Sequence, residues 1–258
     1  MDNLLKLADK NLAASIKHRI THSKNGTLKE TDSYMIYTTG VYSDDAHVNG
    51  VLCFDTNYDA EEVLHEAENF FKPLKRNYSI WVRDHEDFEL EMALRGKGLE
   101  PRRVPGAAGM VIKQRIESAP IPEGFELKRV TTSKEVQDFS QIVQEAFDKS
   151  PEVGNEMFSS DSVLISPDTA GFIIYKDNKP VASVTTVITR PIAGIYWVGV
   201  VDSARGQGLG SSITQAATNL GFDLGAEAVI LQASLLGESV YEKLGYETVT
   251  YYRTYRCD

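Results

Sequence analysis

Three alternate glycines follow a long apolar run and precede a segment with helical periodicity. They are Gly206, Gly208 and Gly210, and Arg205 stands directly before them. Because glycine carries no side chain, a ligand can approach the backbone amides of such a turn, and the start of the following helix favours an anion. The types and spacing of these residues therefore indicate a cradle for a pyrophosphate.

Two familiar phosphate-binding loops do not fit this cradle. A P-loop needs a lysine directly after its last glycine, whereas Ser211 follows Gly210. A dinucleotide-binding fold needs a long βαβ series, and only 48 residues follow Gly210. The same short remainder disfavours a mononucleotide-binding domain. The remaining pattern is Arg205-x-x-Gly208-x-Gly210, and a glycine turn without a ligand stays open beside it.

The features around and after this turn resemble, in order and spacing, those of the GNAT family of N-acetyltransferases. The turn is similar to the coenzyme A loop of that family, and the segment LQASLLGESV at 231–240 is similar to its strand-to-helix passage. The segment YEKLGYE at 241–247 stands where the family has a helix that carries a tyrosine. The resemblance covers residues 125–256 and implies an acetyl-CoA-dependent acyltransferase.

The resemblance also implies roles for individual residues. Acetyl-CoA, the co-substrate, would lie between splayed strands, and an amine would attack its thioester carbonyl directly in a ternary complex. A backbone amide near Val200 would stabilise the oxyanion, and Tyr241 would protonate the leaving thiolate. Ser234 would contact the pantetheine arm or order a water. A core aromatic and a strand-end turn serine are the alternatives for these two side chains. The residues implied in coenzyme binding are Val198, Val200, Arg205, Gly206, Gln207, Gly208, Leu209, Gly210 and Ser211.

The resemblance does not identify a general base. Some members of the family have a glutamate on the strand before the loop, but 192–201 contains no acid. Glu145, Glu152 and Glu156 are the candidates, with solvated helix faces and a water-relayed base as alternatives. The five histidines precede residue 116, show neither ligand nor triad spacing, and are predicted to be surface or packing residues. They are His18, His22, His47, His65 and His85.

Composition limits the classes of partner and compartment. The formal charge of −10 argues against a protein that binds nucleic acid through its phosphates and mildly favours a cationic small substrate. Cys53 and Cys257 are far apart, so neither a disulfide framework nor a metal site is predicted. The first residues lack a secretion signal, and the longest apolar stretch is about half of a membrane span. We therefore expect a cytoplasmic protein without metal or membrane contact.

Two halves must position these residues, separated by a Pro- and Gly-containing linker at 117–124. In the second half, 125–258, Thr132 and Glu135 form a capping-box pattern that begins a helix, and 176–180 is a hairpin signal. Further strands are predicted at 126–130, 172–175, 181–188, 195–201, 229–233 and 248–255, with helices after the cradle and at 238–244. In the first half, 1–116, helices are predicted at 2–20, 59–71 and 88–95, and strands at 51–54, 78–83 and 109–113.

The first half is predicted to be a degenerate copy of the second. Its strand, helix and Gly98 parallel the strand, helix and Gly245 of the second half, and this alignment puts Leu94 in the place of Tyr241. The segment 54–58 before its second helix has no glycine, and Asp55 and Asp59 would repel a pyrophosphate. The predicted fold class is therefore α/β, with two GNAT-like domains, each a twisted mixed sheet flanked by helices. An unrelated small first domain is the alternative.

The predicted function is acetyl transfer from acetyl-CoA to the amine of an unidentified small molecule, or less readily to a peptide or protein amine. A non-catalytic acyl-CoA binding or sensing protein is the alternative from another functional class. Because one chain carries two copies of the fold, a monomer that acts as a pseudo-dimer is expected, with a homodimer as the other arrangement.

Overall fold

The computed structural model describes residues 2–117 and 120–258, so part of the predicted linker lies outside the described residues and the domain bounds stay a prediction. The helices are α1 (Asp2–His22), α2 (Ala60–Phe71), α3 (Phe88–Gly96), α4 (Ser133–Ala146), α5 (Pro151–Met157), α6 (Leu209–Asp223) and α7 (Glu238–Lys243). The strands are β1 (Thr27–Glu30), β2 (Tyr34–Thr38), β3 (Asn49–Cys53), β4 (Tyr78–Arg83), β5 (Ala107–Ile112), β6 (Phe125–Arg129), β7 (Ile165–Ser166), β8 (Thr169–Lys176), β9 (Lys179–Thr189), β10 (Ile192–Val200), β11 (Ala228–Ala233) and β12 (Glu247–Cys257).

In the described part of the chain the strands form one twelve-stranded mixed sheet. Its order is β1-β2-β3-β4-β12-β5-β11-β10-β9-β8-β6, with β7 paired to β8 at one side. Near the centre, β4 of the first half pairs with β12 of the second, while β11 of the second half pairs with β5 of the first. The two halves thus exchange their last strands, and β5 and β12 pair with each other antiparallel at the centre. The sequence analysis predicted the four strands β4, β5, β11 and β12, but it did not predict this exchange.

Helix α1 connects the halves a second time, because it packs on strands of the second half. The Asn11 amide donates to the carbonyl of Val187 on β9 at 3.1 Å, and Tyr196 on β10 donates its hydroxyl to the Asn11 side-chain oxygen at 2.6 Å. On the side of the first half, the buried Arg83 of β4 pairs with Asp9 of α1 at 2.9 Å. Helix α1 therefore contacts both halves, although it begins the first.

The local signals that predicted the elements are visible in the structure. Thr132 caps α4 in a complete capping box with Glu135. The turn between β8 and β9 places Asp177 and Asn178 in the left-handed region, as a tight hairpin requires. All the predicted helices and strands are present, with bounds shifted by a few residues. The elements β1, β2, α5 and β7 are additional.

Candidate functional site

The glycine cradle lies between the end of β10 and the start of α6. Gly206 and Gly208 have φ values of 75° and 79°, a region that side chains other than glycine adopt at a cost. Gly208 is the N-cap of α6 and provides no side-chain hydrogen bond to the helix, whose first turn contains no acid. The first amides of α6 are therefore left without a capping group and face the turn. The turn thus leaves backbone amide donors free for a ligand, and anion binding there stays a prediction.

The corresponding helix of the first half begins differently. Asp59 caps α2, and its carboxylate accepts from the amide of Glu62 at 2.8 Å. Glu61 and Glu62 add two further acids in the first turn. The helix start that could bind an anion is thus already occupied by the chain's own carboxylate and is surrounded by negative charge.

A cleft opens between β10 and β11 next to the cradle. The two strands pair in parallel from Ile192 opposite Ala228 to Ile195 opposite Leu231 and then diverge. A bulge in β10 accompanies the divergence, since the register with β9 shifts between Tyr196 and Gly199. Trp197 lies in this bulge with a φ of 56°. A cavity of about 270 Å³ fills the opening, and Val198, Ser234 and Tyr241 are among its lining residues.

The ring of Tyr241 is held in the wall of this cavity. It is 8 % exposed and lies against Gly237, where an added Cβ would come within 2.8 Å of a ring carbon. Burial alone raises the pKa of Tyr241 to about 12. The phenol is therefore fully protonated at neutral pH, which is the state that a proton donor needs. The absence of a side chain at Gly237 is thus a requirement for seating Tyr241.

The other residues of the cradle differ in what they offer a ligand. Leu209 is buried and anchors the helix, whereas Gln207 is exposed and Ser211 is partly exposed. The Arg205 guanidinium pairs with Asp202 at 2.7 Å and donates to the carbonyl of Val200 at 3.2 Å. A Cβ added at Gly210 would be 3.9 Å from a methyl group of Val200, so this glycine has ordinary packing.

Ser234 is a turn residue that also lies at the cavity. Its hydroxyl accepts from the amide of Gly237 at 3.2 Å, which makes it a turn residue. It also lines the cavity beside Tyr241.

The three candidate glutamates are not among the residues that line the cavity. Glu145 and Glu152 are exposed. Glu156 accepts from the backbone amide of Asn25 at 2.7 Å and from its side-chain amide at 3.0 Å, so it orders a loop of the first half. The structure thus gives none of these carboxylates contact with the cleft.

The first half supplies the opposite wall of the cavity. Its contribution is Asp45, His47, Trp81 and Ala107, which face the residues of β10 and β11. His47 lies edge-on to Trp81 and to Trp197, with ring centroids 5.0 Å apart in both pairs. The sequence analysis treated His47 as a surface or packing residue, because no local spacing connects it to the cradle. Only the pairing of the two halves brings it there.

Charge and burial set the protonation states in this wall. Burial above all, together with the charges of Arg19 and Lys149, lowers the pKa of His47 to about 4, although Asp45 opposes this shift. Burial pushes the pKa of Asp45 upward, but His47 and Lys149 outweigh it and hold the value at about 2. Lys149 forms an ion pair with Asp45 across the two halves. At neutral pH the cavity wall therefore contains an uncharged His47 imidazole beside an ionised Asp45 carboxylate whose charge is balanced by Lys149.

Comparison with known proteins identifies the family of the second half. Residues 136–246 match the family model described as the acetyltransferase (GNAT) family. The chain thus contains a GNAT domain, as the resemblance predicted, and this match supports an acyltransferase that uses an acyl-CoA. No curated protein matches the sequence.

Solved structures resemble nearly the whole chain. A GCN5-related N-acetyltransferase from Kribbella flavida has a TM-score of 0.70 at 19 % identity, over 96 % of this chain and 95 % of its own. A second one, from Sphaerobacter thermophilus, gives 0.62 at 15 % identity over 89 % and 82 %. A tandem GNAT protein from the clavulanic acid biosynthesis pathway gives 0.60 at 12 % identity over 91 % and 84 %. The mixed fold and its likeness to GNAT proteins across both halves agree with the predicted fold class.

Two further properties concern the described residues only. None of their helices combines the length and apolar character needed to cross a membrane. Within residues 2–117 and 120–258, no three His, Cys, Asp or Glu side chains are grouped so that they could hold a metal ion.

Proposed function

We propose, on the premise that residues 136–246 form a GNAT domain, that this protein is an N-acetyltransferase that transfers the acetyl group of acetyl-CoA to an amine. The observation that carries the proposal is the cleft where β10 and β11 diverge, with an uncapped helix start at one end and Tyr241 in its wall. The unit of function is a single chain, because its two halves already complete one site. We further propose a cytoplasmic location, as its acidic composition suggests.

The residues of the cleft fit acetyl-CoA in shape and charge. The free amides at 208–211 would hold the pyrophosphate, and the first turn of α6 contains no acid that would repel it. The divergent end of β10 leaves Val198 and Val200 beside the opening, where their backbone groups would bind the pantetheine arm as a neighbouring strand would. When bound, acetyl-CoA supplies a thioester carbonyl for an amine to attack.

The chain then has two tasks at the reacting carbonyl. A backbone amide near Val200, next to the bulge of β10, would donate to the developing oxyanion, and such a donor accounts for about 3 kcal/mol of barrier reduction in other acyl transfers. Tyr241 would donate its proton to the leaving thiolate. Its high pKa keeps that proton in place until a thiolate forms.

The amine must lose a proton to attack, and the wall of the first half offers an acceptor. The His47 imidazole is neutral at neutral pH and lies in the cavity, where it would take the proton directly or through a water. A base with so low a pKa contributes modestly. We therefore assign His47 the role of accepting and guiding this proton rather than the main share of the rate.

Thiol release from acetyl-CoA tests the proposal. Purified protein is assayed against small amines, polyamines, amino acids and a lysine peptide, and the best acceptor is then used with Tyr241→Phe. This change removes the hydroxyl and keeps the ring. Turnover should fall about 10²-fold while acetyl-CoA affinity is kept, and a donor with a less basic leaving thiol should lose less.

The matched control is Tyr246→Phe. Tyr246 packs near Tyr241, with ring centroids 6.0 Å apart, but its hydroxyl bonds to Thr218 at 2.8 Å inside the core. This variant should lose about 1 kcal/mol of stability and keep its turnover. Normal turnover in Tyr241→Phe removes this residue from the mechanism. Binding of acetyl-CoA without turnover of any amine would instead favour an acyl-CoA sensing protein.

A further inference from the structure

One guanidinium in the interior has no carboxylate partner. Arg19 is on α1 and is 4 % exposed. Its Nη2 donates to the carbonyl oxygen of His47, and the guanidinium lies over the ring of Trp197 at 5.3 Å from the centroid. Among the described residues no carboxylate oxygen lies within 4.0 Å of it, because the nearby Asp45 pairs with Lys149 instead. The Nε atom has no hydrogen-bond partner in the described chain.

This arrangement is unusual because a buried charge without an ion-pair partner in contact is strongly destabilising. Burial lowers the pKa of Arg19 to about 10 although the nearby Asp45 opposes the shift, so the group is still charged at neutral pH. Stacking on an aromatic ring offsets only part of such a cost. The guanidinium therefore has an unused capacity to bind an anion.

The cavity at Arg19 has the size and chemistry for a small anionic group. It is lined by Arg19, Ser15 and Thr185 on its polar side and by Phe158, Leu164 and Trp197 on its apolar side, among others. Its volume is about 20 Å³, room for a group the size of one or two waters. The hydroxyl of Thr185 is also buried and has no partner in the described chain. Two unsatisfied polar groups therefore line one cavity.

This small cavity adjoins the catalytic cleft. Tyr196 and Trp197 line both. His47, whose carbonyl binds Arg19, is in the wall of the cleft that faces Tyr241. Trp197, whose ring lies against the Arg19 guanidinium, thus forms part of the wall of both cavities.

We infer that the acceptor is an amine that also carries a carboxylate, and that Arg19 and the Thr185 hydroxyl bind this carboxylate while the amine faces Tyr241. The inference rests on the proposed function and narrows its substrate to the class of amino acids. A guanidinium matches the two oxygens of a carboxylate in a planar pair, and a threonine hydroxyl can donate a third bond. A phosphate is too large for a cavity of this size.

Matched pairs of acceptors test the inference. Each amino acid is compared with the amine that lacks only its carboxylate, and thiol release gives kcat and KM for both. The wild type should prefer the amino acid of the preferred pair by about 100-fold in kcat/KM, because hydrogen bonds to a charged group are involved. In Arg19→Met this preference should disappear, and in Arg19→Lys it should be partly kept.

A second variant covers the case in which the Arg19 variants do not fold. In Thr185→Val the methyl group replaces a hydroxyl without a partner in the described chain, so stability should be unchanged or slightly higher. Its KM for the amino acid should rise about tenfold with kcat unchanged, whereas values for the amine should not change. The control is Thr39→Val, which removes another buried hydroxyl without a partner but lines neither cavity. It should leave both constants unchanged.

The outcomes separate this inference from the proposed function. If kcat/KM is the same for each amino acid and for the amine that lacks its carboxylate, the inference is overturned, while the proposed acetyltransferase function still holds. If no acceptor is turned over, the binding of amino acids is measured by calorimetry, and this measurement tests the carboxylate site. Heat of binding in the wild type that Thr185→Val reduces supports the carboxylate site, and no heat overturns it. Stabilisation by acetate without selectivity between paired acceptors would show a site for a free anion and would also overturn the assignment to the acceptor.

Discussion

The strictest test of the cradle compares two glycines that share a conformation but not a location. Gly208 and Gly98 have φ values of 79° and 77°, and a Cβ added at either meets no atom within 4 Å. Glutamate at either position should therefore cost the same backbone strain, about 1–2 kcal/mol, and lower Tm by about 2–8 °C. Only Gly208 is at the cradle. Any difference in ligand binding between Gly208→Glu and Gly98→Glu then reports on the site and not on the strain.

The expected difference is large. A carboxylate about 4 Å from a pyrophosphate costs about 4 kcal/mol at an effective dielectric constant of 20, close to a thousandfold in Kd. The new side chain also stands where a ligand must approach the backbone. Calorimetric titration with acetyl-CoA should show at least about 100-fold weaker binding for Gly208→Glu and wild-type binding for Gly98→Glu. Equal affinities in the two folded variants would refute the cradle, and equal losses would trace the effect to strain.

Two further predictions concern the first half. Titration with acetyl-CoA should give one site per chain, because Asp59 already caps α2 and two acids follow it; a stoichiometry of two would contradict this reasoning. On acidification, the free energy of unfolding should fall between pH 6.5 and 4, since the unfolded chain protonates His47 at pH 6.5 and the folded chain only near pH 4. The loss is at most about 3 kcal/mol. His47→Gln should show a shallower decline in urea titrations over that range, and an unchanged slope would argue against a buried neutral imidazole.

The sequence predicted those parts of the molecule in which a local signal sets the conformation. The capping box at Thr132 depends on residues that are three positions apart. The glycines of the cradle require the left-handed region, and no other residue adopts it as readily. Such signals also predicted the degenerate copy, since Gly98 and Gly245 both follow a short helix with positive φ.

Other elements lack a local signal. Strand β1 is at the edge of the sheet and is mostly exposed, so Thr27–Glu30 shows little apolar alternation. Strand β2 is buried on both faces and has no alternation for the opposite reason. The exchange of β5 and β12 could not be predicted, because a strand pattern specifies a pleat and not a partner.

The site residues follow the same division. Tyr241 and Gly208 were predicted as site residues from their spacing along the chain, and the role of each stays a prediction. His47 and Arg19 are remote from both in sequence, and each enters the site through a long-range contact. Arg19 reaches it because α1 packs on β9 and β10, through bonds such as that from Asn11 to Val187. Local patterns therefore carry the proposal for the coenzyme site, whereas the proposed acceptor side depends on the packing of the two halves.

The two halves of the chain allow a comparison between a helix start that is capped and one that is left open for the proposed coenzyme, in terms of helix stability. In the first half Asp59 caps α2, an interaction that stabilises a helix by about 1 kcal/mol. In the second half Gly208 provides no side-chain cap, so α6 forgoes that stabilisation and keeps its amides free. At the position of Tyr241, the first half has the fully buried Leu94, which adds apolar contact and no proton donor. In the first half each of these residues stabilises the fold, whereas in the second half each leaves a hydrogen-bond donor available to a ligand. Under the proposed function, the first half would serve as the wall that positions His47, and the second half would hold the groups that react.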